Sequence, residues 1–218
     1  MAALAMGGSA KAGVARRFDP PSRLGYEVVA APAARPAALF ARPAVGTEIG
    51  RSAHGRFWVI RRRGAFLGIS TLQRHDNRLA WIRADAPGLR LSHTWLMAHV
   101  DLSARRVWVT HHGATVFGAR ATVGSARTPT PTGVTSVFSF YRTGGYYPAR
   151  LYGPAIAGLG LWQPRRLAWA PAGGVIAFHG MGSAGGGAVS AGCVRLPNAR
   201  MRRLRRLLRV GTPVVIRR

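Results

Sequence analysis

Apolar residues in this chain come in short, β-prone runs that a glycine or a polar cluster ends after four or five positions. Phe57-Trp58-Val59-Ile60, Ala65-Phe66-Leu67-Gly68-Ile69 and Leu79-Ala80-Trp81-Ile82 are three of them. Each is too short for a helix with a buried face and well suited to a strand. A second series starts near Leu96, continues through Arg106–Thr110, turns at His112-Gly113 and returns through Ala114–Val123, which is a hairpin pattern with glycine in the turn. Thr128-Pro129-Thr130-Pro131-Thr132-Gly133 breaks the sheet before Val134–Phe140, and Gly174–His179 reads as a buried strand ending on a histidine. A helical period appears once. After Asn198, a candidate cap, Met201, Leu204, Leu207 and Leu208 share one face and Arg202, Arg203, Arg205, Arg206 and Arg209 the other. Gly211 stops that helix and Pro213–Ile216 returns as a strand. The chain is therefore expected to be mainly β, with one short amphipathic helix.

A length of 218 residues allows one large or two small domains. Residues 1–45 are rich in Ala, Pro, Gly and Arg without a sustained period, so they are expected to form a disordered tether. The short runs at 57–82 suggest a small barrel within a domain over 46–94. Arg78-Leu79-Ala80-Trp81-Ile82-Arg83-Ala84-Asp85 resembles the closing strand of bacterial SH3-like domains, which implies that this barrel is SH3-like. Residues 95–218 form the second domain.

Charge narrows the partners less than its size suggests. Lys and Arg total 32 against six acids, a net +26, and Lys11 is the single lysine. Such a field attracts polyanions, whether nucleic acid, anionic lipid or an acidic cell wall. No nucleic-acid recognition module accompanies it, so specific nucleic-acid binding is not expected, and the arginines of the helix read as a solvated face. The six acids offer no glycosidase-like carboxylate pair. His111-His112 precedes a hairpin glycine and lacks carboxylates or thiols at ligand spacing, so no metal and no cofactor are expected. No stretch reaches the roughly 20 apolar residues that span a bilayer. Met1–Ala10 is apolar but is followed, not preceded, by Lys11, Arg16 and Arg17, so no export signal is evident.

Cys193 is the single cysteine, which excludes an intramolecular disulfide and a Cys-based zinc cluster and leaves a buried filler or a reactive thiol. Its surroundings favour reactivity. His179-Gly180 closes an apolar strand, a glycine-rich excursion over 181–189 follows, and Ser190-Ala191-Gly192-Cys193-Val194-Arg195-Leu196 returns toward the core. Such an excursion brings its two ends together at little steric cost, placing an imidazole beside a thiol.

At these residues the sequence resembles the L,D-transpeptidase family with the YkuD-type catalytic domain. That family's signature is His-Gly, a variable loop, then Ser-His-Gly-Cys-Val/Ile-Arg. The likeness extends to the hairpin from Val100 to Val123, Thr130-Pro131-Thr132-Gly133, the helix after Asn198, and Gly211–Ile216, covering residues 96–218. It implies a transpeptidase-type β-sandwich and a nucleophile, Cys193, that attacks the peptidoglycan stem carbonyl preceding a terminal D-Ala. His179 would be the base. Backbone groups of the loop at Gly192 and Cys193, with Gly180, would steady the oxyanion. Arg195 and Ser190 would meet substrate, although Arg195 could equally brace the loop. The acyl-enzyme would pass to an amine, giving a 3-3 crosslink, or to water, as in an L,D-carboxypeptidase. Carbapenem-type inhibitors, an anionic cell wall as partner and an extracytoplasmic location follow from the same resemblance. The chain departs from the pattern at Ala191, where the family commonly carries His or Tyr. A non-catalytic wall-binding or scaffolding protein with a degenerate site is the alternative.

Overall fold

The computed structural model describes residues 18–52, 55–165, 167, 170, 173–182 and 186–218. The first region has eight strands: β1 (Tyr26–Ala31), β2 (Ala38–Phe40), β3 (Glu48–Arg51), β4 (Gly55–Trp58), β5 (Arg61–Arg63), β6 (Phe66–Ile69), β7 (Ala80–Arg83) and β8 (Arg90–Thr94). The second has β9 (Leu96–Asp101), β10 (Arg106–His111), β11 (Ala114–Arg120), β12 (Thr122–Gly124), β13 (Gly133–Tyr141), α1 (Ala149–Tyr152), β14 (Ile156–Trp162), β15 (Val175–Met181), β16 (Gly187–Ser190), β17 (Val194–Pro197), α2 (Asn198–Leu207) and β18 (Pro213–Arg217). The fold is mainly β, as the short runs require.

In the first region a three-stranded sheet (β4-β1-β8) and a five-stranded sheet (β3-β2-β7-β6-β5) enclose one core of Val29, Leu39, Phe57, Leu67, Ile69 and Ile82. This corrects the expectation of a tether across 1–45. Residues 26–40 supply two strands, and Val29 and Leu39 are fully buried. Ala and Pro dominate the composition there, but Pro32 and Pro36 flank the connection between β1 and β2, where the Arg35 amide donates to the Pro32 carbonyl (3.3 Å). They punctuate strands rather than dissolve them. Residues 46–94 therefore do not close a core alone. Residues 1–17 of the expected tether lie outside the described residues.

The second region is a ten-stranded sheet in the order β11-β10-β9-β18-β13-β14-β15-β17-β12-β16. Phe178, Val194, Leu196, Leu159, Val137 and the Met201, Leu204 and Leu208 face of α2 pack in its core. The expected arginine face of α2 is largely exposed. Two details of that helix differ from expectation: Pro197 occupies the N-cap, and Asn198, the first helical residue, makes no capping bond. The central strand β14 and the single turn α1 were not anticipated. Gly158 and Gly160 weaken β14 as a strand signal, yet each is a close-approach position. A Cβ at Gly158 would lie 2.8 Å from the Tyr141 ring, and one at Gly160 2.9 Å from Ser70 Oγ.

The regions share contacts. Phe57 and Phe138 pack with ring centroids 6.2 Å apart, and Ser70 Oγ lies 3.0 Å from Thr135 Oγ1. Asn77 holds the backbone of Trp162 from both sides, donating to its carbonyl (2.9 Å) and accepting from its amide (2.7 Å).

Candidate active site

Strands β15 and β17 run parallel, with Phe178 paired to Val194 and His179 to Arg195. Side chains alternate between faces along a strand, so Phe178 and Val194 enter the core while His179 and Arg195 share the opposite face. Cys193, one residue before β17, falls on that same face. His179, Cys193 and Arg195 line one cavity of about 350 Å³, together with Tyr152, Gln163, Val175, Met181 and Ala191. The sequence-predicted nucleophile and base are thus brought to one wall.

A polar network pins the cysteine loop. Four consecutive carbonyls, 190 to 193, each accept a hydrogen bond. Ser190 O accepts from Thr128 Oγ1 (3.0 Å) and the Ser125 amide (2.9 Å). Ala191 O accepts from Gln163 Nε2 (2.9 Å), Gly192 O from Thr130 Oγ1 (2.8 Å), and Cys193 O from Ser190 Oγ (2.6 Å). Gln163 Nε2 also donates to Pro129 O (3.2 Å), and Thr130 Oγ1 accepts from the Gly124 amide (2.9 Å). Gly192 sits at φ +117°, and a Cβ there would fall 2.2 Å from Gln163 Nε2. Only glycine fits that backbone and that gap.

This network reassigns two expected roles. Ser190 is buried, is absent from the cavity wall, and spends its hydroxyl on Cys193 O and the Gly192 amide (3.1 Å); it braces the loop instead of meeting substrate. The Gly192 amide is consumed in the same contact, so it cannot serve an oxyanion. Gly180 has a further role in the site. A Cβ on it would strike Pro154 and Asn198, at 2.5 and 2.6 Å, and its carbonyl accepts from His179 Nδ1 at 2.9 Å.

That last bond sets the chemistry of the imidazole. With the Nδ1 proton donated to Gly180 O, Nε2 is the basic nitrogen. Burial pushes the His179 pKa down to about 4; the bond to Gly180 works against this and the Arg195 charge adds to it. Burial likewise raises the Cys193 thiol, opposed by the Ala177 backbone and by Arg195. At neutral pH the pair is therefore an imidazole and a thiol, not a preformed ion pair. The thiol rests against the Val175 carbonyl oxygen (3.8 Å). Arg195 Nη1 lies 3.7 Å from Met181 Sδ, its Nε is buried without a hydrogen-bond partner, and no carboxylate pairs with it among the described residues.

Sequence reasoning missed Tyr152 and Gln163 as cavity residues. Tyr152 arrives on α1, a turn too short for a periodic signal, and its ring lies 5.1 Å from that of His179. Gln163 follows the glycine-diluted β14. Among the described residues no group of three His, Cys, Asp or Glu could hold a metal, and no helix is long and apolar enough to cross a membrane.

Residues 97–216 match the family model of the L,D-transpeptidase catalytic domain, YkuD. Among solved structures, L,D-transpeptidase 3 from Mycobacterium tuberculosis is similar at 15% identity, covering 65% of this chain and 75% of that one, with a TM-score of 0.46. The same enzyme in complex with a faropenem-derived adduct gives 15% identity, coverage of 65% and 74%, and a TM-score of 0.46. An L,D-transpeptidase from Mycobacterium smegmatis gives 18%, 72% and 80%, and 0.46. No curated protein matches the chain. The match to the catalytic-domain model spans more than half of the sequence and takes in both His179 and Cys193; this chain belongs to the YkuD-type L,D-transpeptidase family.

Proposed function

We propose that the protein is a cysteine-dependent L,D-transpeptidase acting on peptidoglycan tetrapeptide stems in an extracytoplasmic space. The observation that carries this reading is the neutral His179, its tautomer set by Gly180 O, on the same cavity wall as Cys193 and Arg195, which meets no carboxylate among the described residues. His179 Nε2 takes the thiol proton as Sγ attacks the carbonyl of the third stem residue. The Cys193 amide steadies the oxyanion, since the Gly192 amide is engaged elsewhere. The C–N bond to the terminal D-Ala then breaks, and His179 returns the proton to the leaving amine. An acceptor amine, or water, attacks the thioester to complete transfer or hydrolysis. Arg195, whose guanidinium meets Met181 Sδ but no carboxylate among the described residues, binds a stem carboxylate.

Purified protein incubated with tetrapeptide-bearing muropeptides should release D-Ala and yield dimers or tripeptides detectable by mass. Cys193→Ala should release none, and a carbapenem should add covalent mass to the wild type alone. Unchanged substrate with intact Cys193 would overturn the reading. The resting thiol, bonded to Val175 O and raised by burial, instead favours the silent wall-binding alternative if iodoacetamide alkylates it no faster than a free thiol.

A further inference from the structure

The segment between β13 and α1 carries aromatic rings that neither the core nor the catalytic pair requires. Tyr146 is 89% exposed and Leu151 51% exposed. Tyr146 is nevertheless held in place. Its turn is closed by two backbone bonds, Gly144 N to Tyr147 O (2.8 Å) and Tyr147 N to Gly144 O (3.2 Å). Glycines at φ +105° and +53° (Gly144 and Gly145) make the tight reversal. The Tyr147 ring meets that of Tyr146 edge-on at 4.9 Å, Tyr152 follows Tyr147 at 5.5 Å, and His179 follows Tyr152 at 5.1 Å. A continuous path of rings thus runs from solvent to the catalytic imidazole, and Leu151 and Tyr152 line both the path and the cavity.

We propose that Tyr146, flanked by Tyr147 and Leu151, is a saccharide platform that receives the sugar ring attached to the stem peptide. The proposal rests on the substrate class argued above. A pyranose presents an apolar C–H face ringed by hydroxyls, and a rigid tyrosine offers a matching flat face and a polar edge at low entropy cost. The reach fits. Three extended residues between the attacked carbonyl and the sugar-bearing end of the stem span about 10 Å. The three ring steps put Tyr146 no farther than about 16 Å from His179, so a stem running along the rings from Cys193 brings its sugar within reach of the outer tyrosines. A membrane is a poorer occupant, because one exposed tyrosine on a turn and one exposed leucine on a four-residue helix make neither an amphipathic helix nor an apolar wedge.

The test compares a disaccharide-tetrapeptide with the same tetrapeptide freed of sugar. The wild type should show a KM about fivefold lower for the sugar-bearing substrate. Tyr146→Ala should raise that KM about fivefold with kcat held, leave the bare peptide within about twofold, and be rescued by Tyr146→Trp. Equal KM values in the wild type, or an equal rise for both substrates in Tyr146→Ala, would overturn the platform. If the wild type turned over neither substrate, the transpeptidase reading would fail. The platform would then be decided by calorimetric titration of Cys193→Ala protein, where sugar-bearing peptide bound no tighter than bare peptide overturns it.

Discussion

The two regions stabilise their surfaces and loops by different chemistry. Five of the six acids precede residue 97, and each is bonded to an arginine or its backbone: Asp19 and Glu27 with Arg62, Glu48 with Arg51, Asp76 with Arg74, and Asp85 with Arg83. From residue 97 to the end, seventeen arginines face one acid, Asp101. Ion pairs cannot hold the cysteine loop there, and neutral hydroxyls and an amide do it instead. Hydrogen bonds among uncharged groups are insensitive to salt and to the ionisation of carboxylates, whereas exposed ion pairs are sensitive to both. Loop geometry is thereby separated from the strong positive field around it.

The sharpest way to break this separation is to spoil the neutral brace. Gly192→Ala places a methyl 2.2 Å from Gln163 Nε2 and 2.9 Å from Ile176 Cδ1 at a backbone φ of +117°. It should cost about 2–4 kcal/mol of stability and lower kcat/KM by more than about 100-fold through displacement of Sγ. Urea melts and D-Ala release measure the two effects. A fully active Gly192→Ala protein would mean that the loop geometry is not what positions the thiol.

Next in size is the imidazole. A His179 pKa of about 4 in the fold against 6.5 unfolded means that the unfolded chain binds the extra proton between those values. Its contribution is complete above pH 6.5 and is lost as pH falls toward 4, a cost on the order of 3 kcal/mol. Half-buried His99, also lowered to about 4, by burial and the Arg217 charge, acts in the same window. The denaturation midpoint should therefore drop between pH 6.5 and 4, and His179→Gln should flatten much of that slope. Turnover, which needs the neutral imidazole, should stay level from pH 7 to about 5 and fall toward 4.

Much of this candidate site was legible in the sequence because His179 and Cys193 lie on an apolar run and a glycine-punctuated loop, both local signals, although the strand continues past His179 to Met181. The β-rich architecture was legible for a similar reason, since the period of two survives in runs such as Arg106–Thr110. What stayed hidden is what depends on three-dimensional neighbours. Ser190 looked like a substrate contact because a hydroxyl beside a nucleophile has no local mark of its hydrogen bonds. Thr128 and Thr130 read as turn residues, and Thr128 does close a turn onto Ser125 (3.2 Å), but the hydroxyls of both reach across some sixty positions to Ser190 and Gly192. In β1 and β2 the composition of the connection masked the strands it joins.

A third test lies where the regions meet. Asn77 satisfies both backbone groups of Trp162, His75 stacks on that indole at 4.1 Å, and the next residue is Gln163. Asn77→Ala leaves the Trp162 amide and carbonyl without these partners, at a cost of about 1–3 kcal/mol. Through Gln163 and Ala191 O it should also reduce kcat by several-fold while leaving KM nearly unchanged, as expected of a residue that acts through the loop. An unaltered kcat, with stability lost, would confine the role of Asn77 to holding the two regions together.

The smallest effect belongs to the ion pairs themselves. Arg74 bonded to Asp76 holds that carboxyl down at about 2, against 3.8 for an ordinary aspartate, with burial opposing and the Arg78 backbone assisting. The sign is opposite in origin to a raised pKa: the stabilisation is complete above pH 3.8 and fades as pH falls toward 2. Asp76 is 47% exposed, so solvent screening keeps the contribution below about 1 kcal/mol despite the size of the shift. Asp76→Asn should therefore move the urea midpoint only slightly at pH 5, less still in 1 M salt, and not at all near pH 2, while catalysis at pH 7 is unchanged. A loss of turnover in Asp76→Asn would show that the charged surface of the first region does reach the cysteine loop, with the turn at Asn77 and Trp162 as its route.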